Sequence, residues 1–156
     1  MRVFVTGASG WIGSAVVPEL IGGGHQVVGL ARSDAAAEKV AASGAKVLRG
    51  DVQDIDVLRA GAVQAHGVVH LAFRHDIAWT GHFEEAAASD RRAIEVFGDV
   101  LSSSEGTLAV ASGVAGVSLG GLATERDRGR REFKAAADRL RDVAHRDALL
   151  AHGVQH

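Results

Sequence analysis

Three glycines spaced three residues apart near the start of the chain form the pattern with the clearest chemical meaning. Gly7, Gly10 and Gly13 follow the apolar run Val3–Val5 and precede a helix-like stretch, Ser14–Ile21. A strand, a tight turn and a helix N-terminus in this order present backbone N–H groups and the positive end of a helix dipole to an anion. Glycines here allow a sharp turn, close approach to a pyrophosphate and tight helix–strand contact. The pattern predicts a dinucleotide site, with a plain glycine-rich turn as the alternative.

The residues after the second apolar run, Gln26–Ala31, bear on which dinucleotide is bound. An acidic residue about twenty positions beyond the glycine turn favours the free ribose hydroxyls of NAD. Arg32 and Ser33 occupy this place, and the planar, permanently charged guanidinium of arginine suits a 2′-phosphate. We therefore expect NADP in preference to NAD. Asp34 keeps NAD open, and Arg32 could instead be a solvated loop charge.

Short apolar strands alternate with helical patterns through the first two thirds of the chain. The predicted strands are Val3–Val5, Gln26–Ala31, Lys46–Arg49, Gly67–Ala72 and Thr107–Ala111, and the predicted helices are Ser14–Ile21, Ala35–Ala42, Ile55–Ala62 and Phe83–Leu101. Near-continuous apolar strands separated by helices indicate a parallel sheet covered on both faces. A glycine-rich loop over 112–121, a helix from Arg130 and the start of a sixth strand at Val154 are expected beyond them.

Composition narrows the class of protein. The 156 residues predict one domain, and a net charge of −2 gives no electrostatic case for nucleic acid or an anionic membrane. The chain has no cysteine, which excludes disulfides and thiolate chemistry. No leader pattern and no apolar run of about 20 residues is visible, so we expect a cytoplasmic protein with no membrane partner.

Several segments resemble the nucleotide-binding half of an extended short-chain dehydrogenase/reductase of the NAD-dependent epimerase/dehydratase family. Residues 6–13, Thr-Gly-Ala-Ser-Gly-Trp-Ile-Gly, are similar to the family's Thr-Gly-x-x-Gly-x-x-Gly cofactor loop. Asp51-Val52 resembles the pair that flanks the adenine ring, and His70–Ala72 resembles the strand end along which the cofactor lies. Ala111–Gly113 is similar to the end of the fifth strand, where the family places a catalytic Ser or Thr.

The resemblance implies an α/β fold, namely a Rossmann-type, doubly wound parallel sheet in the order 3-2-1-4-5 with helices on both faces. The partner would be a nicotinamide dinucleotide, NADP or NAD, lying over the carboxyl ends of the strands. The cofactor-binding residues that follow from the cofactor loop, Arg32 and the resemblance are Gly7, Ser9, Gly10, Trp11, Ile12, Gly13, Arg32, Ser33, Asp51, Val52, Leu71 and Ala72.

The reaction implied by the resemblance is hydride transfer between a nicotinamide and an alcohol or carbonyl carbon, with nucleotide sugars among the candidate substrates. The family uses a Tyr-x-x-x-Lys pair in which the lysine lowers the pKa of the tyrosine, which acts as acid and base. This chain has no tyrosine. Lys134 lies about where the family lysine would fall, and Arg130 stands four residues before it. An arginine does not exchange protons near neutral pH.

Other polar residues are candidates for the missing chemistry. Ser112 could orient a substrate carbonyl, although a gapless match would place Ala111 there, and Ser112 could equally be an ordinary loop residue. His75 and Asp76, beyond the fourth strand, are substitute acid/base candidates, with loop polar residues as the commoner interpretation. His75 is the better of the two because an imidazole exchanges protons near neutral pH.

The histidines and the two tryptophans give two further expectations. The eight histidines show no recognised ligand spacing, so we expect no metal site. Trp11 and Trp79 are expected to pack rather than to stack on a ligand.

The length of the chain leaves its catalytic status open. Family members usually continue into a smaller C-terminal substrate-binding part, which is absent here, so residues 1–156 are predicted to be one NAD(P)-binding domain. The chain could be a truncated or frameshifted product, an atypical oxidoreductase, or a non-catalytic module such as a redox sensor. An exposed sheet edge would also allow a homodimer.

Overall fold

The chain folds around a five-stranded parallel sheet with helices on both faces. The computed structural model describes residues 1–104 and 106–111. Their elements in chain order are β1 Arg2–Thr6, α1 Gly13–Gly22, β2 Gln26–Ala31, α2 Asp34–Ala42, β3 Lys46–Arg49, α3 Ile55–Val63, β4 Gly67–His70, α4 His75–Ala78, α5 Phe83–Leu101 and β5 Thr107–Val110. The strands lie side by side in the order β3-β2-β1-β4-β5. The predicted Rossmann-type fold and its strand order are therefore confirmed.

The central strand β1 explains why both faces of the sheet are covered. Successive side chains of a strand point to opposite faces. Val3 and Val5 accordingly belong to one buried cluster, with side chains from α1 and α2. Phe4 belongs to a second cluster, with side chains from α3 and α5. The unbroken apolar run Val3–Val5 within β1 thus supplies two cores, which is the arrangement its sequence predicts.

Side-chain caps fix the starts of two helices. The Ser33 hydroxyl accepts a hydrogen bond from the backbone N–H of Ala36 at 3.2 Å and begins α2. The Asp54 carboxylate accepts one from Val57 N–H at 3.3 Å and begins α3. Each cap satisfies one of the backbone donors that a helix N-terminus leaves without an intrahelical partner.

Two local features differ from the prediction. The strand predicted over Gly67–Ala72 ends at His70. The Leu71 N–H bonds to both the carbonyl and the hydroxyl of Thr6, each at 3.2 Å, and the Ala72 N–H bonds to the Thr6 hydroxyl alone, at 3.3 Å. The short helix α4 was not predicted, since its four residues are too few to show an apolar period.

Part of the prediction concerns residues that the structure does not describe. The loop over 112–121, the helix from Arg130 and the strand from Val154 lie outside the described residues. Within the described part, none of the helices combines the length and the apolar character needed to cross a bilayer.

The contact between Gly61 in α3 and Phe4 in β1 allows this packing to be tested. A Cβ at Gly61 would lie 2.6 Å from Cζ of the fully buried Phe4 ring, whereas one at Gly22 would have no heavy atom within 4 Å. We expect Gly61→Ala to lower the free energy of unfolding by about 1–2 kcal/mol, because overpacking exceeds the gain in helix propensity. The matched change Gly22→Ala should be neutral or stabilising by up to about 1 kcal/mol. Urea unfolding followed by circular dichroism measures both, and equal stabilisation of the two variants would contradict the packing.

Candidate functional site

A cleft of about 500 Å³ lies at the carboxyl ends of the central strands. Its volume is within the usual range for sites that hold small molecules and cofactors. The lining includes all twelve residues predicted to bind a cofactor: Gly7, Ser9, Gly10, Trp11, Ile12, Gly13, Arg32, Ser33, Asp51, Val52, Leu71 and Ala72. They come from the turn after β1 and from the ends of β2, β3 and β4. The fold thus gathers residues that are up to 65 positions apart in sequence into one surface.

The glycine turn forms the wall of the cleft because it has no room for side chains. Gly7 has a φ of 67°, and a Cβ there would lie 2.8 Å from the backbone nitrogen of Ala72. A Cβ at Gly13 would overlap the carbonyl oxygens of Gly7 and Ala8. Glycine is therefore required at both positions, at Gly7 by its left-handed backbone and at Gly13 by the close approach of α1 to the turn.

The N-terminus of α1 points toward this wall. Its first residue is Gly13, and the residue before it, Ile12, provides no side-chain cap. The hydroxyl of Ser14 donates to the carbonyl of Trp11 at 2.8 Å and so holds the turn closed. The N–H groups of Ser14 and Ala15 bond to the carbonyls of Gly10 and Ile12, at 2.9 and 3.1 Å, so α1 offers an anion chiefly the positive end of its dipole.

A buried chain of hydrogen bonds ties the floor of the cleft to β1 and α5. The Thr6 hydroxyl oxygen accepts the N–H groups of Leu71 and Ala72, and it lies 2.6 Å from Nδ1 of His70. Since its oxygen already accepts two bonds, Thr6 donates its proton to Nδ1. The ring proton of His70 is then on Nε2, which donates to the Asp90 carboxylate at 3.1 Å. The network sets the tautomer of His70 and holds the peptide units of Leu71 and Ala72 in place.

The charged groups near the end of β2 are arranged asymmetrically. Arg32, Ser33 and, from α2, Lys39 line the cleft. The carboxylate of Asp34 instead pairs with Arg49 at 2.8 Å, and Arg49 also donates to the carbonyl of Ser33 at 2.6 Å. Asp34, the acidic residue that left NAD as an alternative in the sequence, therefore pairs with Arg49, and neither residue lines the cleft.

A second charged group lies beyond β4. The Arg74 guanidinium donates to both oxygens of the Asp76 carboxylate, at 2.9 and 3.1 Å, and Arg32 donates to it at 3.3 Å. The hydrogen bond from Arg74, followed by the smaller contribution of Arg32, lowers the pKa of Asp76 to about 2. Asp76 is therefore ionised and a weak base near neutral pH, which favours His75 over Asp76 as the candidate for proton exchange.

Of the three candidate catalytic residues, only His75 lies in the part of the chain that the structure describes. His75 lines the cleft, and its ring contacts those of Phe73 and Trp79 at centroid distances of 5.0 and 5.2 Å. Ser112 and Lys134 lie outside the described residues. In the part of the chain that the structure describes, no three His, Asp or Glu side chains are grouped so as to hold a metal ion.

Some lining residues were not predicted as cofactor-binding residues. Lys39, Phe73 and Arg74 lie in the cleft wall, together with Leu30, Gly50 and two alanines of α2. Within α2, Lys39 lies three and four residues after Ala36 and Ala35, and this helical spacing places the three residues on one face.

The prediction that the two tryptophans pack was wrong. Trp11 is 94% exposed and Trp79 is 84% exposed. Both rings therefore lie on the surface, Trp11 on the cleft wall and Trp79 beside His75.

A doubly wound parallel sheet with a glycine turn against the carboxyl end of its first strand defines a Rossmann-type nucleotide-binding fold. The sequence pattern of the NAD dependent epimerase/dehydratase family matches residues 3–96, and the chain belongs to this family. The resemblance drawn from the glycine turn is thereby confirmed.

Individual relatives support the same placement. The chain is 44% identical over 129 residues to the uncharacterized protein YLL056C of Saccharomyces cerevisiae, which covers 81% of this chain and 42% of the relative. It is 38% identical over 72 residues to a 4-hydroxy-2-methyl-3-oxo-4-farnesyl-3,4-dihydroquinoline-1-oxide ketoreductase of Stigmatella aurantiaca, covering 46% of this chain and 22% of that protein. The chain thus spans well under half of these curated relatives.

A solved structure shows the same fold. UDP-glucose-4-epimerase from Stenotrophomonas maltophila with bound NAD superposes with a TM-score of 0.74 at 19% identity, over 93% of this chain and 49% of that one. At this level of identity the likeness shows the fold alone.

The Thr6 hydroxyl provides a test of the cleft floor. Thr6→Val keeps the shape of the side chain but leaves the N–H groups of Leu71 and Ala72 and the Nδ1 of His70 without this partner. We expect a loss of about 2–4 kcal/mol in the free energy of unfolding, measured by urea denaturation. Thr6→Ser retains the hydroxyl and should lose about 1 kcal/mol or less, for the missing methyl group. A valine variant as stable as the serine variant would show that the network does not hold the strand ends.

Proposed function

We propose that the chain is the cofactor-binding part of an NAD(P)-dependent oxidoreductase or epimerase. The observation that carries this proposal is the convergence, in one cleft, of a turn with no room for a Cβ at Gly7 and Gly13, the N-terminus of α1 and a cationic strand end. These three features match the pyrophosphate and the adenosine end of a dinucleotide. The family supports the same cofactor class, because its description names NAD.

The position of each group suggests how the cofactor lies. The turn over Gly7–Gly13 would hold the pyrophosphate with backbone N–H groups. Asp51 and Val52 at the end of β3 would border the adenine ring, and the peptide units of Leu71 and Ala72 would lie along the cofactor. The Thr6–His70–Asp90 network fixes the peptide units of Leu71 and Ala72, so this part of the cleft is formed before the ligand binds.

Cofactor preference follows from the charges at the end of β2. Arg32 and Lys39 both line the cleft, while the exposed Asp34 carboxylate lies outside the lining and pairs with Arg49. A cationic side chain that can form two parallel hydrogen bonds favours a 2′-phosphate over a hydroxyl. We therefore propose NADP as the preferred cofactor, with NAD as the weaker one.

The reaction proposed for the whole enzyme is hydride transfer to or from an alcohol or carbonyl carbon, which is the chemistry that a nicotinamide supplies. Among the described residues, His75 is the candidate for proton exchange because it lines the cleft. Nucleotide sugars and ketones are the candidate substrates, by analogy with the structural neighbour and the ketoreductase relative.

One observation favours a second candidate function. The chain contains no tyrosine and therefore lacks the usual acid and base of the family. A non-catalytic dinucleotide-binding module, such as a redox sensor, would need the same cleft and no proton donor. Saturable cofactor binding without turnover on a panel of ketones and nucleotide sugars would favour this candidate.

Arg32 supplies the test of the cofactor assignment. We expect Arg32→Ala to raise the Kd for NADP by about 10- to 100-fold, the range for losing charged hydrogen bonds, and to change the Kd for NAD by less than about twofold. Isothermal titration calorimetry on the full chain measures both. Arg59→Ala, which removes an exposed arginine from α3 outside the cleft lining, is the matched control and should leave both values unchanged.

Two results would count against the proposal. Equal losses of NADP and NAD affinity in Arg32→Ala would refute the assigned role of Arg32. Failure of the unaltered chain to bind either dinucleotide with a Kd below about 1 mM would refute the cofactor site itself.

A further inference from the structure

Two arginines at the mouth of the cleft converge on one carboxylate. Arg32 follows the last residue of β2, and Arg74 lies four residues beyond the end of β4. Both line the cleft, and both donate to Asp76, the second residue of α4. A carboxylate held between two guanidinium groups occupies the kind of surroundings that arginines also provide for phosphate.

The two contacts differ in strength. Arg74 reaches both carboxylate oxygens with parallel hydrogen bonds of 2.9 and 3.1 Å, and its side chain is only 16% exposed. Arg32 makes a single contact of 3.3 Å, and its side chain is 57% exposed. Single-contact ion pairs on the surface contribute little to stability and are screened by salt. Arg74 therefore anchors Asp76, while Arg32 is the partner that a ligand can remove.

We propose that Asp76 is a specificity-determining residue, whose carboxylate competes with the 2′-phosphate of NADP for Arg32 and so reduces the discrimination against NAD. This inference rests on the proposed function, because it assumes that a dinucleotide lies in the cleft with its adenosine end beside Arg32.

The competition acts on one cofactor and not on the other. A phosphate monoester carries between one and two negative charges near neutral pH, so it must displace Asp76 from Arg32 and lie close to a fixed anion. The 2′-hydroxyl of NAD is uncharged and meets neither cost. Since the pKa of Asp76 is lowered to about 2, its charge is present throughout the physiological range.

The position of Arg74 strengthens the effect. As long as Asp76 is ionised, Arg74 is also engaged and offers no second guanidinium to the phosphate. Neutralising Asp76 would release Arg32 completely and loosen Arg74, and both changes favour NADP. The charged groups Asp51 and Glu85 also act on Arg74, so that side chain keeps acidic neighbours when Asp76 is replaced.

The test is a double-mutant cycle on the full chain, with NADP and NAD as the titrated ligands and calorimetry as the readout. The variants are Asp76→Asn, Arg32→Ala and the combination of the two, with Asp76→Ala as a second removal of the charge. Asp56→Asn removes an exposed carboxylate in the first turn of α3, outside the cleft lining, and is the matched control. Circular dichroism establishes that each variant is folded.

We expect Asp76→Asn to lower the Kd for NADP about fivefold, the size of one unit-charge interaction at contact distance in water, and to change the Kd for NAD less than about twofold. In the Arg32→Ala background the same change should lower the Kd for NADP by a smaller factor, because only the direct repulsion between the Asp76 carboxylate and the phosphate is then relieved. Asp56→Asn should leave both dinucleotides unaffected.

Three results would overturn the inference, and each differs from failure of the proposed function. They are an unchanged NADP affinity in both Asp76 variants, an equal gain for NAD, and a gain that persists in full without Arg32. If no variant binds either dinucleotide, the proposed function itself fails and this inference fails with it.

Discussion

The close approach of the turn after β1 to the end of β4 is the constraint on which the rest of the site depends. There is no space for a side chain at Gly7, where a Cβ would lie 2.8 Å from the Ala72 nitrogen, or at Gly13, where it would overlap two carbonyl oxygens. Thr6 closes the same junction from within the sheet by binding the N–H groups of Leu71 and Ala72. Because these contacts involve backbone and one buried hydroxyl, the cleft wall is rigid and largely independent of the surface side chains.

Charged side chains surround this wall, and the arginines among them differ in how they are paired. Arg49 pairs with Asp34, and Arg74 pairs with Asp76 through two hydrogen bonds. Arg32 lies between these pairs and makes only a single contact, at 3.3 Å. Under the proposed function, a preference among dinucleotides would depend on a few exposed charges, whereas binding of any dinucleotide would depend on the buried junction. Cofactor preference and cofactor binding can change separately, since the first would depend on exposed charges and the second on buried contacts of other residues.

The sequence predicted the fold well because its signals were local. The unbroken apolar strand at Val3–Val5 requires two covered faces, and the glycine spacing specifies a turn. The tertiary features had no such signal. The bond between His70 and Asp90 joins residues twenty positions apart on different elements, and the two-arginine arrangement around Asp76 appears only when β2 and β4 flank β1. The 94% exposure of Trp11 also had no local signal, because tryptophan side chains are highly buried on average.

The central claim is that the cleft at the carboxyl ends of β1, β2, β3 and β4 holds a nicotinamide dinucleotide. A titration of the ¹⁵N-labelled chain with NADP, followed by amide resonances in two-dimensional NMR, tests it most directly. We expect the largest shifts on residues 7–13, Arg32, Ser33 and Ala72, with Gly22–Gly24, which precede β2 at the amino ends of the strands, unaffected. The claim is contradicted if saturating NADP shifts none of these amides, or if the shifts concentrate on another surface.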